Sequence, residues 1–110
     1  MTIINDTTLS NNSAFEGGGI YGGAGTVQLS NITLSGNSAN YGAAIFNSNS
    51  VLSLNASTVS GNSATEQGGG IWIVAGYSGT VTITGCTFTA NRPDNIFGPW
   101  IDGGGNSFLP

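Results

Sequence analysis

Short runs of alternating apolar and polar residues recur along this chain at a fixed interval. Val27-Gln28-Leu29 alternates, and after Ser30-Asn31 the pattern resumes as Ile32-Thr33-Leu34-Ser35. A period of two predicts strands whose side chains point in turn to a core and to solvent. No stretch carries the apolar spacing of an amphipathic helix over a helical length. The second run belongs to a longer phrase, Asn31-Ile32-Thr33-Leu34-Ser35-Gly36-Asn37-Ser38-Ala39, followed by Gly42-Ala43-Ala44-Ile45-Phe46. The same phrase is written from Asp6 to Ala14 and on to Gly17-Gly18-Gly19-Ile20-Tyr21, and from Ala56 to Ala64 and on to Gly68-Gly69-Gly70-Ile71-Trp72. A looser copy runs from Gly85-Cys86-Thr87-Phe88-Thr89-Ala90-Asn91 to Ile96-Phe97. The Asn anchors Asn12, Asn37, Asn62 and Asn91 are spaced 25, 25 and 29 residues apart.

A period of this length signals a repeat architecture in which each unit buries its apolar face against the next. Superposed copies give four apolar columns: Thr2, Val27, Leu52 and Val81; Ile4, Leu29, Leu54 and Ile83; Leu9, Leu34, Val59 and Phe88; Ile20, Ile45, Ile71 and Ile96. Like residues recurring once per unit stack only when equivalent strands lie side by side in parallel, about 4.8 Å apart. A repeat of this length holds about three strands of four or five residues with three turns, and parallel crossovers are right-handed. The expected fold is therefore all-β, a right-handed parallel β-helix (solenoid) of about four coils with three short parallel sheets around one core.

The coils are expected at residues 1–25, 26–50, 51–79 and 80–98, with 99–110 as a C-terminal cap or tail. Clusters at Gly17–Gly19, Gly68–Gly70 and Gly103–Gly105 mark tight turns or close approach of the backbone to the next coil. The longer last step is assigned to an extra excursion over 73–79. Met1 falls at the start of the first strand, so coil 1 is expected to lack a cap. The sequence thus reads as a piece of a longer protein with further upstream coils, or as a chain prone to end-to-end self-association through its open edge.

Composition narrows the function classes. The single basic residue, Arg92, stands against Asp6, Glu16, Glu66, Asp94 and Asp102, for a net charge of −4. Nucleic-acid binding, which needs a Lys/Arg footprint, is excluded as an expectation. No run approaches the length of a transmembrane helix, and Met1 to Asp6 has neither the basic nor the apolar region of a signal peptide. Cys86 is the sole cysteine and permits no internal disulfide.

The tetrapeptides Gly-Gly-Gly-Ile and Gly-Ala-Ala-Ile, with Leu-Ser-Gly-Asn, Val-Ser-Gly-Asn and Phe88-Thr89-Ala90-Asn91, resemble the GGA[ILV] and FxxN motifs of polymorphic outer membrane proteins and related right-handed β-helix repeat proteins. The resemblance implies a pectin-lyase-like fold and a secreted or cell-surface, outer-membrane-associated protein of bacteria, with adhesive passenger domains in its autotransporter members. The chain departs from that pattern in being short and in showing no signal peptide, C-terminal barrel or anchor.

Several columns carry candidate chemistry. Asn12, Asn37, Asn62 and Asn91 recur at a turn where Asn tolerates left-handed geometry and its amide can bond to the same amide one coil on, the basis of a structural ladder. Sequons at Asn5, Asn11, Asn31 and Asn55 arise from composition, since glycans on stacked coils would collide. Thr8, Thr33, Thr58 and Thr87 form an outward column two residues from Ser10, Ser35, Ser60 and Thr89. Such an array is the kind of surface an ice-binding solenoid uses, though the Ser column lacks methyl groups. Tyr21, Phe46, Trp72 and Phe97 each follow the recurrent Ile and so should point outward, an aromatic ladder able to stack on sugar rings or anchor a protein partner. Cys86 shares a column with Thr7, Ile32 and Ser57 and is expected to be buried and inert.

No catalytic constellation stands out. Glu16 and Glu66 are expected at equivalent turn positions with Tyr41 between them, about 10 Å apart by strand spacing, slightly beyond an inverting glycosidase pair. Asp102-Gly103-Gly104-Gly105-Asn106 lacks the alternating oxygen ligands of a Ca²⁺ loop and reads as part of the cap; no metal and no cofactor is implied. The expected function is a noncatalytic structural or adhesive module binding carbohydrate or a cell-surface protein through the aromatic ladder. The rivals are a remnant of a pectin-lyase-like carbohydrate-active enzyme and an ice-binding solenoid.

Overall fold

The computed structural model describes residues 1–74 and 79–109. Coil 1 contributes β1 (Thr2–Asn5), β2 (Thr8–Ser10) and β3 (Ile20–Gly22). Coil 2 contributes β4 (Thr26–Ser30), β5 (Thr33–Ser35), β6 (Ser38–Tyr41) and β7 (Ile45–Asn47). Coil 3 contributes β8 (Val51–Asn55), β9 (Thr58–Ser60), β10 (Ser63–Gln67) and β11 (Ile71–Ile73). Coil 4 contributes β12 (Val81–Thr84), β13 (Thr87–Thr89) and β14 (Ile96–Phe97), after which come β15 (Ile101–Asp102) and β16 (Ser107–Leu109). Every pairing is parallel and joins equivalent strands of successive coils, so the fold is a parallel β-solenoid.

Among the described residues the strands form four sheets where three were expected. The first, β1-β4-β8-β12-β15, and the second, β2-β5-β9-β13-β16, run the whole stack, and the aromatic strands form the fourth, β3-β7-β11-β14. Between them lies a narrow third sheet of β6 and β10, continued into coils 1 and 4 by single bridges such as Ser13 to Ser38 and Ser63 to Arg92. Its strands carry small inward residues, Ala39 and Ala64, which pack with Ala43 in a cluster of their own. That wall therefore lacks the alternating large apolar residues by which a strand is recognised from sequence.

The four apolar columns meet in register and point inward. Leu29, Leu34, Ile45, Leu52, Leu54, Val59, Ile71, Val81, Ile83 and Phe88 are fully buried in one cluster, with Ile4, Leu9, Ile20, Val27, Ile96 and Trp100 packed against it. Each such side chain contributes about 1.5–3 kcal/mol by leaving water. At the far end Phe108 stacks on Phe88 at 5.1 Å and Trp100 meets Phe108 edge-on, so the stretch after residue 98 both adds rungs to two sheets and covers the core.

Two turns of each coil bend on a single left-handed residue. The first uses Asp6, Asn31, Ala56 and Gly85, and the second Asn11, Gly36, Gly61 and Ala90, all with φ between 50° and 64°. Asp, Asn and Gly enter that region readily and fill six of these eight positions, while Ala56 and Ala90 hold it without that advantage. The left-handed residue of the second turn thus precedes the ladder Asn, correcting the expectation that the Asn itself takes that geometry. The glycine clusters meet the other need: a Cβ on Gly18 would lie 2.6 Å from the carbonyl oxygens of Ser38 and Ala43. Residues 75–78 of the expected excursion lie outside the described residues.

Candidate functional site

Two columns, one at the second turn and one on the fourth sheet, hold the candidate residues. At the second turn Asn37, Asn62 and Asn91 are buried, and Asn12 at the first coil is exposed. The backbone N–H groups of Asn12, Asn37 and Asn62 donate to the Oδ1 atoms of Asn37, Asn62 and Asn91 at 3.0, 2.9 and 3.1 Å. Each buried amide also donates from Nδ2. Asn37 reaches Leu9 O and Asn62 Oδ1, and Asn62 reaches Leu34 O and Asn91 Oδ1. Asn91 reaches Val59 O and Asn95 Oδ1. Side-chain amides thus replace the strand ladder where the backbone turns a corner, satisfying groups that would otherwise be buried without partners.

A neighbouring column works in the same way. Ser57 Oγ accepts from Ile32 N at 3.0 Å, and Asn106 Oδ1 accepts from Cys86 N at 2.9 Å. Asn106 extends the Thr7, Ile32, Ser57, Cys86 column by one rung, a member that sequence comparison of the four coils passes over. Asp102 Oδ1 accepts from Gly104 N and Asn106 Nδ2, so in this structure its carboxylate closes a turn. Cys86 is 1% exposed, and burial pushes its thiol above its ordinary pKa. Its Sγ–H donates to the carbonyls of Leu54 and Thr84, which leaves it a structural thiol.

On the fourth sheet Ile20, Ile45, Ile71 and Ile96 point inward, and Tyr21, Phe46, Trp72 and Phe97 pair in register on the outer side. The rings stack face to face. Tyr21 to Phe46 is 5.2 Å at 8°, Phe46 to Trp72 is 4.7 Å at 9°, and Trp72 to Phe97 is 6.2 Å at 12°. A ring inside the stack has both faces covered, so Phe46 is only 5% exposed, in contrast to its expectation as a surface ring. Tyr21 and Phe97, at the ends of the stack, are exposed at 54% and 38% and keep one face free. Trp72 is half-buried, and its indole Nε1 is buried with no hydrogen-bond partner among the described residues.

Two further rings that the sequence reading did not place in this column join it from the third sheet. Tyr41 meets Trp72 edge-on at 5.6 Å and 64°, and Phe15 meets Tyr41 at 6.2 Å and 59°. Glu16 bridges to Tyr41 above it, and below it Gln67, not Glu66, is the residue opposite Tyr41. A bulge between Ala64 and Gln67 displaces Glu66 from the column, so the equivalence of Glu16 and Glu66 is corrected. Five residues separate Asn62 from Gly68 where four separate Asn37 from Gly42, and that extra residue is the signal in the sequence.

The outer hydroxyl columns also stand in register on the second sheet, Thr8 through Thr87 and Ser10 through Thr89. Among the described residues no group of three or more His, Cys, Asp or Glu is placed to hold a metal ion, and no helix is long and apolar enough to cross a membrane.

No curated protein and no solved structure matches the chain. Two stretches, residues 6–23 and 56–74, match the Chlamydia polymorphic membrane protein (Chlamydia_PMP) repeat, each spanning a second turn, a glycine cluster and an Ile-aromatic step. The two matched stretches cover about a third of the chain, and within them the repeats are similar to that family's; the parallel β-solenoid is consistent with the likeness.

Proposed function

We propose that the chain is a noncatalytic, adhesive segment of a bacterial outer-membrane or surface protein, meeting glycan or protein partners through its aromatic face. The repeat match and the solenoid fit a surface repeat module. The observation that carries the adhesive reading is the placement of the rings: the fourth sheet turns a continuous aromatic column to the outside, with Tyr21 and Phe97 exposed. Exposed aromatic rings of this kind dominate binding hot spots. Because the inner faces are used within the stack, the column offers a sugar ring a free face at its end rings, Tyr21 and Phe97, while a protein partner can also use the ring edges.

The test is binding of the purified chain to a glycan array and to host-cell surfaces, compared with Tyr21→Ala and Trp72→Ala variants that keep the β-sheet circular dichroism. Loss of binding in folded variants supports the reading. Cleavage of uronan polymers by the purified chain would replace it with the carbohydrate-active alternative, and thermal hysteresis that is abolished by Thr58→Leu would replace it with the ice-binding one.

A further inference from the structure

The rings that join the column from the third sheet differ from those within it. Tyr41 stands edge-on to Trp72 and Phe15 is tilted from Tyr41, so their planes diverge as walls around a corner rather than covering one another. Phe15 is 64% exposed. Carboxylates flank the same corner: Glu16 bridges to Tyr41 from coil 1, and Glu66 adjoins Gln67, which pairs with Tyr41 from coil 3. An exposed ring such as Phe15 beside a carboxylate attracts cations, the ring quadrupole and the negative charge acting together. The chain's one basic residue, Arg92, pairs in coil 4 with Ser63, in the column of Ser13 and Ser38 and not in that of Glu16 and Tyr41.

From this geometry we infer that the corner formed by Phe15, Glu16, Tyr41, Glu66 and Trp72 binds the cationic side chains, Arg in preference to Lys, of a basic segment in a partner protein. The inference rests on the reading of the aromatic face as a contact surface and names the partner chemistry of its edge. The surface is an open corner and not an enclosed cage, which suits a planar guanidinium laid against a ring better than a small ammonium ion that must be surrounded. The net charge of −4 adds long-range attraction for the same class of partner.

The test is an NMR titration of the full chain with an oligo-arginine peptide, with oligo-lysine as the comparison and tetramethylammonium as the small-cation arm. Shifts are expected to concentrate at Phe15, Glu16, Tyr41 and Glu66 and at the Trp72 Nε1–H signal, with oligo-arginine binding tighter than oligo-lysine and tetramethylammonium weakest. The Phe15→Ala chain and the Glu16→Gln, Glu66→Gln double variant are each expected to weaken oligo-arginine binding about tenfold, whereas Asp6→Asn, a carboxylate remote from the corner, leaves it unchanged. Shifts spread evenly over all carboxylates, or binding indifferent to Phe15→Ala, would overturn the inference. Glycan or cell binding lost in Tyr21→Ala while oligo-arginine ignores the corner would defeat this inference and leave the adhesive reading standing. Oligo-arginine bound at the corner with no glycan or cell binding by the chain would do the reverse.

Discussion

The Asn column and the aromatic column both place one side chain per coil, in register, along the same axis, yet they stand in opposite relations to water. Asn37 and Asn62 are sealed in the interior with every side-chain polar atom engaged. The aromatic column lies outside the sheet, covers its own middle by stacking, and leaves its ends and its third-sheet branch to solvent. Stacking of like residues is therefore not itself a mark of function. What separates the two is whether the column exhausts its own interactions: the amides do, and the rings do not.

This contrast can be broken or sharpened by substitution. The largest effect is expected beneath both columns, where Leu34→Asp buries a carboxylate between Leu9 and Val59. Placing an unpartnered carboxyl group there and losing the Leu34 packing removes a large share of the roughly 5–15 kcal/mol that holds a domain together, so circular dichroism should show an unfolded chain. Next, Asn62→Ala strips partners from Asn37 N, Asn37 Nδ2 and Leu34 O, at a cost of about 4 kcal/mol; urea unfolding measures it, and a loss under about 1 kcal/mol would make the column incidental. Trp72→Ala removes a half-buried ring from between Phe46 and Phe97 and should cost about 2 kcal/mol in the same assay. Tyr21→Ala, at the end of the stack, should cost about 1 kcal/mol or less while weakening partner binding.

A smaller effect appears only on raising the pH. Burial holds the Cys86 thiol protonated above its ordinary pKa of 9.0, so the folded chain keeps a proton that the unfolded chain releases. The stability this provides is complete below that pH and declines as pH rises through and above it. Urea midpoints compared across that range should fall more steeply for the natural chain than for Cys86→Ser, and parallel curves would show that the thiol is not buried in solution.

Much of the solenoid is legible in the sequence because a parallel stack repeats its environment once per coil, so the inward phase of Leu9, Leu34, Val59 and Phe88 can be read by superposing four lines of text. The third sheet was not legible, since Ala39 and Ala64 are too small to announce an inward position. Exposure within the aromatic column was likewise hidden: alternation says that Phe46 points away from the core, and only the neighbouring rings decide that it is nonetheless shielded. The branch through Phe15 and Tyr41 depends on packing around a corner between two sheets, which no one-dimensional pattern encodes. Glu66 was misplaced for a simpler reason, because one inserted residue forms a bulge and slips the register by one.

The most direct test of the division between the two columns is hydrogen exchange of side-chain amides followed by NMR after transfer into D₂O. The Nδ2 protons of Asn37 and Asn62, which donate to Leu9 O, Leu34 O and the next amides of the column, are expected to persist as long as the slowest backbone amides of the core, while those of the exposed Asn12 exchange at once. Equal, rapid exchange at all three positions would contradict the account, for it would mean that the Asn column is as open to water as the rings are.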